Sequence, residues 1–279
     1  MFLGELWKLT RFEHALMLAF AVLIAETIVL GHLPPADLVL ALSLLVPIFS
    51  EMGSFALNDY FDIETDKINK KKDRPLVRGT ISPGFALNFS MFCMFISSML
   101  AYFINLPAFA IVFAFNLAAI AYNWKLKDLP LLGNAYIGLT MAIPFVFGNF
   151  VVSGTLSPLA LVLALLGFVA GLAREIIKSA QDMEGDMKAR GSKTLPAVIG
   201  KKASIALAAI LYLIFIPLSA SPFLIGLEGT LPALALVAVG DLVVLAVVFK
   251  TLKEDYGFAR KFSLVAFLLG LLGLFVASL

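Results

Sequence analysis

One cysteine, two histidines and a charged fraction of only 14% leave this 279-residue chain little of several common chemistries. A lone Cys93 excludes an intrachain disulfide framework and a cysteine-based zinc site. His14 and His32 lie at opposite ends of one apolar stretch, too far apart to act as a pair. With a net charge of +2 there is no bulk basic field to hold nucleic acid. Catalytic Ser/His/Asp and Cys/His arrangements, a Walker loop and a dinucleotide fingerprint are missing as well. Charge well below the usual quarter, 61% hydrophobic residues and a mean hydropathy of +0.98 together exclude a soluble globule.

Strand-like alternation is also absent, and long apolar runs take its place. Crossing ~30 Å of hydrocarbon needs about 20 mostly apolar residues. Nine stretches meet that length, near 14–31, 37–57, 84–104, 107–123, 132–151, 157–177, 203–221, 230–249 and 262–279. No basic n-region with a small-residue cleavage site precedes the first, which therefore reads as a permanent span. All 21 Lys and Arg fall at the amino-terminus or in even-numbered connections, clustered in 67–78, at 125 and 127, in 174–202 and in 250–261. The odd-numbered connections carry none, so the positive-inside rule places the amino-terminus inside and the carboxy-terminus outside. The expectation is an all-α, multi-pass membrane protein, a single domain over 1–279, in the cell membrane with membrane lipids around it.

Two long inner connections resemble each other. At an offset of 120, Asp62, Glu64 and Asp66 match Asp182, Glu184 and Asp186. Asn58, Asp59, Asp62 and Asp66 fall within a roughly 100° arc of one helix, because successive residues turn by ~100°. Arg174, Lys178, Asp182 and Asp186 form a second stripe. Facing each other, the stripes bring the carboxylates of Asp59, Asp62, Asp66, Asp182 and Asp186 to one inner mouth. Like charges ~6 Å apart repel by about 3 kcal/mol at an effective dielectric near 20, so a counter-charge is required. Mg²⁺ suits hard oxygen ligands that share it with phosphates. Lys67, Lys70, Lys71, Lys72, Arg74, Arg78 and Lys193 flank the acids and suit contacts to a phosphate or diphosphate.

The pattern Asn58-Asp59-x-x-Asp62-x-x-x-Asp66 with Asp182-x-x-x-Asp186 resembles the paired signature of the UbiA superfamily of intramembrane prenyltransferases. That resemblance implies nine helices around a central cavity. It makes Asn58, Asp62, Asp66, Asp182 and Asp186 ligands, direct or through water, of Mg²⁺ bridging a prenyl diphosphate, with Asp59 an additional candidate. The segments from Asp66 to Leu76, Tyr122 to Lys127 and Arg174 to Pro196 are similar to those of archaeal members that add a second C20 chain to geranylgeranylglyceryl phosphate. Aromatic-acceptor members often carry aromatic residues where this chain has Arg174 and Lys178, and those two cations suit an acceptor bearing its own phosphate. The implied substrates are thus a prenyl diphosphate and a lipid phosphate, with no nucleic acid and no obligate protein partner.

In such a reaction the acids, through metal, and the cations act on the leaving diphosphate, and the allylic cation must meet the acceptor before water does. Glu51, seven residues before Asn58 and ~10 Å deeper on the same stripe, is expected to line the reaction chamber. By the resemblance, Tyr122 contacts the reacting carbon, and Lys125 and Lys127 contact phosphate. Glu26 and Asp241 are weaker intramembrane candidates. Competing readings are prenylation of an aromatic quinone precursor or a chlorophyll-like acceptor, and a cation-coupled transporter. A transporter favours charges near mid-membrane between broken helices, whereas these clusters sit at span ends, on the expected cytoplasmic side.

Overall fold

The computed structural model describes residues 2–279, leaving aside the side chains of 189 and 190. In chain order its helices are α1 (Phe2–Thr10), α2 (Phe12–Leu30), α3 (Leu38–Phe61), α4 (Ile63–Ile68), α5 (Pro75–Arg78), α6 (Pro83–Ile104) and α7 (Leu106–Trp124). There follow α8 (Leu132–Val152), α9 (Pro158–Arg190), α10 (Leu195–Ile199), α11 (Lys201–Ser219), α12 (Ser221–Leu224), α13 (Leu231–Leu252) and α14 (Tyr256–Ala277), and no strand occurs among the described residues. Nine helices among the described residues are long and apolar enough to cross a membrane, in agreement with the nine stretches read from hydropathy. The chain is an all-α, multi-pass membrane protein.

Local chemistry fixes where several spans begin. Asp37, Ser82, Asn105 and Asp255 each accept a hydrogen bond from the backbone N–H three residues on, opening α3, α6, α7 and α14. Proline in the first turn of α6 and α7 costs nothing there, because those N–H groups have no intrahelical acceptor. Helix ends depart from the apolar stretches in three places. α3 runs to Phe61, α9 continues past 177 to Arg190, and α14 starts at Tyr256. Hydropathy marks the thickness of hydrocarbon, while a helix continues until a breaker stops it, as Gly191 does for α9 at φ +63°. The short helix α1 is below the length of a span and lies ahead of the first apolar stretch.

The helices gather into two compact units. The first holds the residues up to Leu23, then 35–128 and 185–192. Within it α3 packs along α6 and α7, and α1 lies on α3. A polar node joins the packed spans: Ser50 donates to Asn116 Oδ1 at 2.8 Å, and the Asn116 amide donates to the Met94 carbonyl, Ser97 and Ser98 at 2.9–3.0 Å. Ser90 donates to the Gly53 carbonyl at 2.8 Å. Such neutral bonds tie helices where lipid provides no hydrophobic drive between them. Leu9, Ala56, Leu76, Ile81 and Ala86 form a small core under α1.

The second unit holds 24–34, 129–184 and 193–279. Its core takes Ala173, Ile176 and Ile177 from α9, Tyr212 from α11, Val244 and Val247 from α13, and Phe267 from α14. Asn134 on α8 donates to Ser179 on α9 at 2.8 Å. Gly167 permits the same helices to touch, since a Cβ there would lie 2.3 Å from the Met141 carbonyl oxygen.

Candidate active site

The first acidic segment lies where α3 gives way to α4. Asp62 ends one helix and begins the next at φ −97°, ψ 6°. The stripe expected from Asn58 to Asp66 is therefore not one uninterrupted helix, yet the helical phase survives the break. Asp62 N–H bonds the Asn58 carbonyl at 2.9 Å, and Asp66 N–H bonds the Asp62 carbonyl at 2.7 Å. Asn58 Nδ2 donates to Asp62 Oδ2 at 3.0 Å and to Asn123 Oδ1 at 2.9 Å. Asn123 is 3% exposed near the end of α7, beside the buried Tyr122, and its own amide donates to the Ala119 carbonyl. It thereby fixes which way the Asn58 amide faces.

Cations stand on each acid of this segment. Lys127 Nζ lies 2.6 Å from Asp62 Oδ1. Lys71 Nζ lies 3.0 Å from Asp66 Oδ1, and Arg74 Nε lies 3.7 Å from Asp66 Oδ2. Asp59 is held by two guanidiniums, Arg11 at 2.9 Å and Arg74 at 3.0 Å, with its side chain 1% exposed. Among the described residues no three of His, Cys, Asp and Glu stand together as a metal centre. Lys71 and Arg74 of the basic loop, with Lys127, supply counter-charge to these acids. For Asp59 in particular, both oxygens accept hydrogen bonds from guanidiniums.

Other expected contacts fall as follows. Lys67 is exposed and paired with Glu64 at 2.7 Å. Arg78 and Thr80 both bond Glu5 of α1. These partners hold the Glu5 carboxyl below the usual carboxylate range, the Thr80 hydroxyl contributing most and Arg78 next. Lys125 and Lys193 are exposed. Glu51 is half-buried on α3, within electrostatic reach of Arg11. Burial, then the neighbouring Arg74, pushes Arg11 below the usual arginine range, and Asp59 pulls it back.

The second acidic segment continues α9. Asp182 makes no ion pair among the described residues, and Asp186 follows one turn later. Within the first unit, Gly185 packs against Asn69, the residue that closes α4: a Cβ at Gly185 would lie 1.9 Å from Asn69 Oδ1. The turn carrying Asp186 is thus seated against the helix that carries Asp66. Ser192, just beyond, donates to Asp128, next to Lys127. Lys178 pairs with Glu175 at 2.9 Å, while Arg174 Nε is buried without a hydrogen bond. In the second unit Asp241 accepts from Ser219 at 2.8 Å, and Glu26 is buried.

Comparison with known proteins bears on this arrangement. The UbiA prenyltransferase family matches residues 15–271. The chain belongs to that family. This UbiA protein is 36% identical to the digeranylgeranylglyceryl phosphate synthase of Archaeoglobus fulgidus, over 99% of its own length and 96% of the relative's. It is 34% identical to the synthase of Methanopyrus kandleri over 98% of both chains. A solved digeranylgeranylglyceryl phosphate synthase is similar to it with a TM-score of 0.76 and 28% identity, over 99% of this chain and 98% of that one. A UbiA homologue from Archaeoglobus fulgidus, bound to GPP and Mg²⁺, shares the fold at a TM-score of 0.69 and 20% identity, over 95% and 99% of the two chains.

Two residues of the site carry little signal in the sequence. Arg11 reads there only as one of the amino-terminal charges, and nothing local connects it with Asp59, 48 residues away. Asn123 stood in plain view beside Tyr122, and a polar amide at the end of an apolar span was the signal.

Proposed function

We propose that this chain transfers a geranylgeranyl group from geranylgeranyl diphosphate to the free hydroxyl of geranylgeranylglyceryl phosphate, acting as one domain over 1–279. Relatedness along its whole length to curated digeranylgeranylglyceryl phosphate synthases carries the reading. The hard oxygens of Asn58, Asp62, Asp66, Asp182 and Asp186 fit Mg²⁺ in chemistry, and they are the residues assigned to hold it. Bound there, Mg²⁺ would neutralise charge on the diphosphate oxygens.

The remaining work belongs to side chains. Lys71, Arg74 and Lys127 stand on the acids and are assigned to the same diphosphate, with Lys67, Arg78, Lys125 and Lys193 around them. Negative charge grows on the leaving group as the allylic C–O bond breaks, and fixed cations in a site of low dielectric stabilise it without reorganising. The acceptor oxygen forms the new C–O bond and gives up its proton, for which Glu51 is the assigned acceptor. Tyr122 is assigned to the reacting carbon. Arg174 and Lys178 are assigned to the acceptor's phosphate, because a guanidinium with an unbonded buried Nε suits a phosphate oxygen. The positive-inside distribution of charge supports an amino-terminus and active site on the cytoplasmic face.

The test is purified protein in detergent with radiolabelled geranylgeranyl diphosphate, Mg²⁺ or EDTA, and a panel of acceptors. Metal-dependent transfer to geranylgeranylglyceryl phosphate is expected. Transfer to an aromatic acid but not to that glycerophosphate ether overturns the acceptor, and transfer unaffected by EDTA overturns the chemistry.

A further inference from the structure

Arg11 has a conformation that side chains other than glycine's rarely hold. It joins α1 to α2 at φ +45°, in the left-handed region, where a residue with a Cβ is disfavoured unless its surroundings compensate. The compensation is visible. Its guanidinium lies over the Phe55 ring at 4.2 Å and donates to Asp59 Oδ1 at 2.9 Å, one turn further along α3. Arg74 donates to the same oxygen at 3.0 Å, and to Oδ2 at 3.4 Å. Arg74 also opens α5, and Arg78 at the other end of that short helix is bonded to Glu5 of α1. Between these ties Leu9 of α1 and Leu76 of α5 share one apolar core. The amino-terminal helix therefore grips the basic loop at both ends of α5.

Arg74 is the piece that matters for chemistry. Its terminal nitrogen is committed to Asp59, while its Nε is buried without a hydrogen bond, 3.7 Å from Asp66. Two guanidiniums on one carboxylate repel each other, and only the charge of Asp59 keeps them together in a place from which most water is excluded. We propose that Arg11 and Asp59 are positioning residues: they form a clamp, set by the amino-terminal helix, that holds Arg74 and the 67–78 loop beside Asp66. Asp59 on this view holds a guanidinium in place of a metal ion. That the loop then meets a diphosphate rests on the function proposed above, whereas the clamp itself is tested without substrate.

The experiment uses full-length protein in detergent, carrying Asp59→Asn, Arg11→Ala, Arg11→Lys or Asp66→Asn, with Mn²⁺ as the metal probe. Three readouts are taken: Mn²⁺ affinity by electron paramagnetic resonance, tryptic nicking at Lys70, Lys71 and Lys72, and the KM and kcat of prenyl transfer. Loss of the clamp frees the loop, so Asp59→Asn and Arg11→Ala should be nicked roughly tenfold faster, since cleavage follows the population of the opened segment. Their KM for the donor should rise more than kcat falls, with Mn²⁺ affinity held within about threefold, a change worth under ~1 kcal/mol. Arg11→Lys keeps a cation over Phe55 and should recover part of the protection. Asp66→Asn should instead lose Mn²⁺ affinity. Equal loss of Mn²⁺ affinity in Asp59→Asn and Asp66→Asn overturns the proposal, and so does unchanged nicking in Asp59→Asn. Should Arg11→Ala not fold, Arg11→Gly suits the left-handed turn and removes the same side chain. Failure of the wild type to transfer a prenyl group refutes the proposed function and leaves the nicking and Mn²⁺ arms to decide the clamp.

Discussion

Gly185→Ala is a substitution whose sign depends on one neighbour. Gly185 sits inside α9, where replacing glycine by alanine is worth about 1 kcal/mol of stability on helix propensity alone. The structure opposes that gain. The new Cβ would stand 1.9 Å from Asn69 Oδ1, 2.8 Å from Cγ and 3.0 Å from Nδ2. Ordinary contact begins near 3.4 Å, so the amide oxygen is about 1.5 Å too close. Turning the amide does not clear the Cγ. Asn69 also closes α4, its N–H bonded to the Thr65 carbonyl at 2.9 Å, so its backbone has little freedom to retreat. Overpacking of this kind costs about 1–3 kcal/mol, which outweighs the propensity term. The net loss of up to ~2 kcal/mol corresponds to a fall in Tm of a few degrees in a chain of this size.

Removing the Asn69 side chain reverses the sign. In an Asn69→Ala background all three clashing atoms are gone, and Gly185→Ala should raise Tm by about 2–4 °C. The assay is thermal unfolding in detergent followed by a thiol-reactive fluorophore. Cys93 is the single thiol, and it is fully buried in the folded state. Mg²⁺ titration of transfer activity gives a second readout, since Asp186 follows Gly185 directly and a displaced turn should raise the half-saturating concentration in the single variant alone. The same sign of ΔTm in both backgrounds would refute the reasoning.

Three further outcomes follow from the site. Glu51→Gln should lower kcat by about 100-fold with unchanged Mg²⁺ half-saturation, as expected of a proton acceptor away from the metal, and unaltered turnover sinks that role. The tie from α1 to α5 should respond to acid: the depressed Glu5 carboxyl adds stability that is complete above its unfolded pKa and lost as pH falls through the lower folded value. Trp7 fluorescence in a Trp124→Phe variant should therefore change below pH ~4, the ordinary carboxylate range, and Glu5→Gln should abolish the transition. Finally, inorganic diphosphate should bind in EDTA through Lys71, Arg74 and Lys127, and lose roughly tenfold in affinity for each lysine replaced by alanine; indifference to both replacements removes those lysines from the site.

Much of the architecture was written in local pattern. Nine apolar runs give the spans because the bilayer imposes a length, and capping residues such as Ser82 and Asn105 mark where spans begin. The neighbourhood of Asn58 and Asp62 was equally legible, since i, i+4 spacing on a helix makes contact obligatory, and their side chains meet at 3.0 Å. What periodicity could not supply was the partner across space. Asp59 shares the arc of Asp62, yet its oxygens go to Arg11 and Arg74, a choice set by the packing of α1 on α3. The two acidic segments also looked alike as text but differ as structure. The first breaks at Asp62 between α3 and α4, while the second stays within the single helix α9.

The cations change the meaning of the acids. Read alone, Asp59, Asp62 and Asp66 describe a cation site, the feature that favours a transporter. Assembled, these three carboxylates stand with four side-chain cations, Arg11, Lys71, Arg74 and Lys127, at distances of 2.6–3.7 Å, which leaves a net charge of +1. A monovalent ion brings too little charge to displace those ammonium and guanidinium partners, whereas a divalent ion, with twice the charge, competes for the same carboxylate oxygens. A polyanion gains from the net positive charge, because lysine and arginine donors can be shared between carboxylate and phosphate oxygens without new charge being buried. Acids then serve the metal, and bases serve the diphosphate. The order of chain elements supports this division, since the acids lie on or just after the long spans while Lys71, Arg74 and Lys127 come from the connections that follow them.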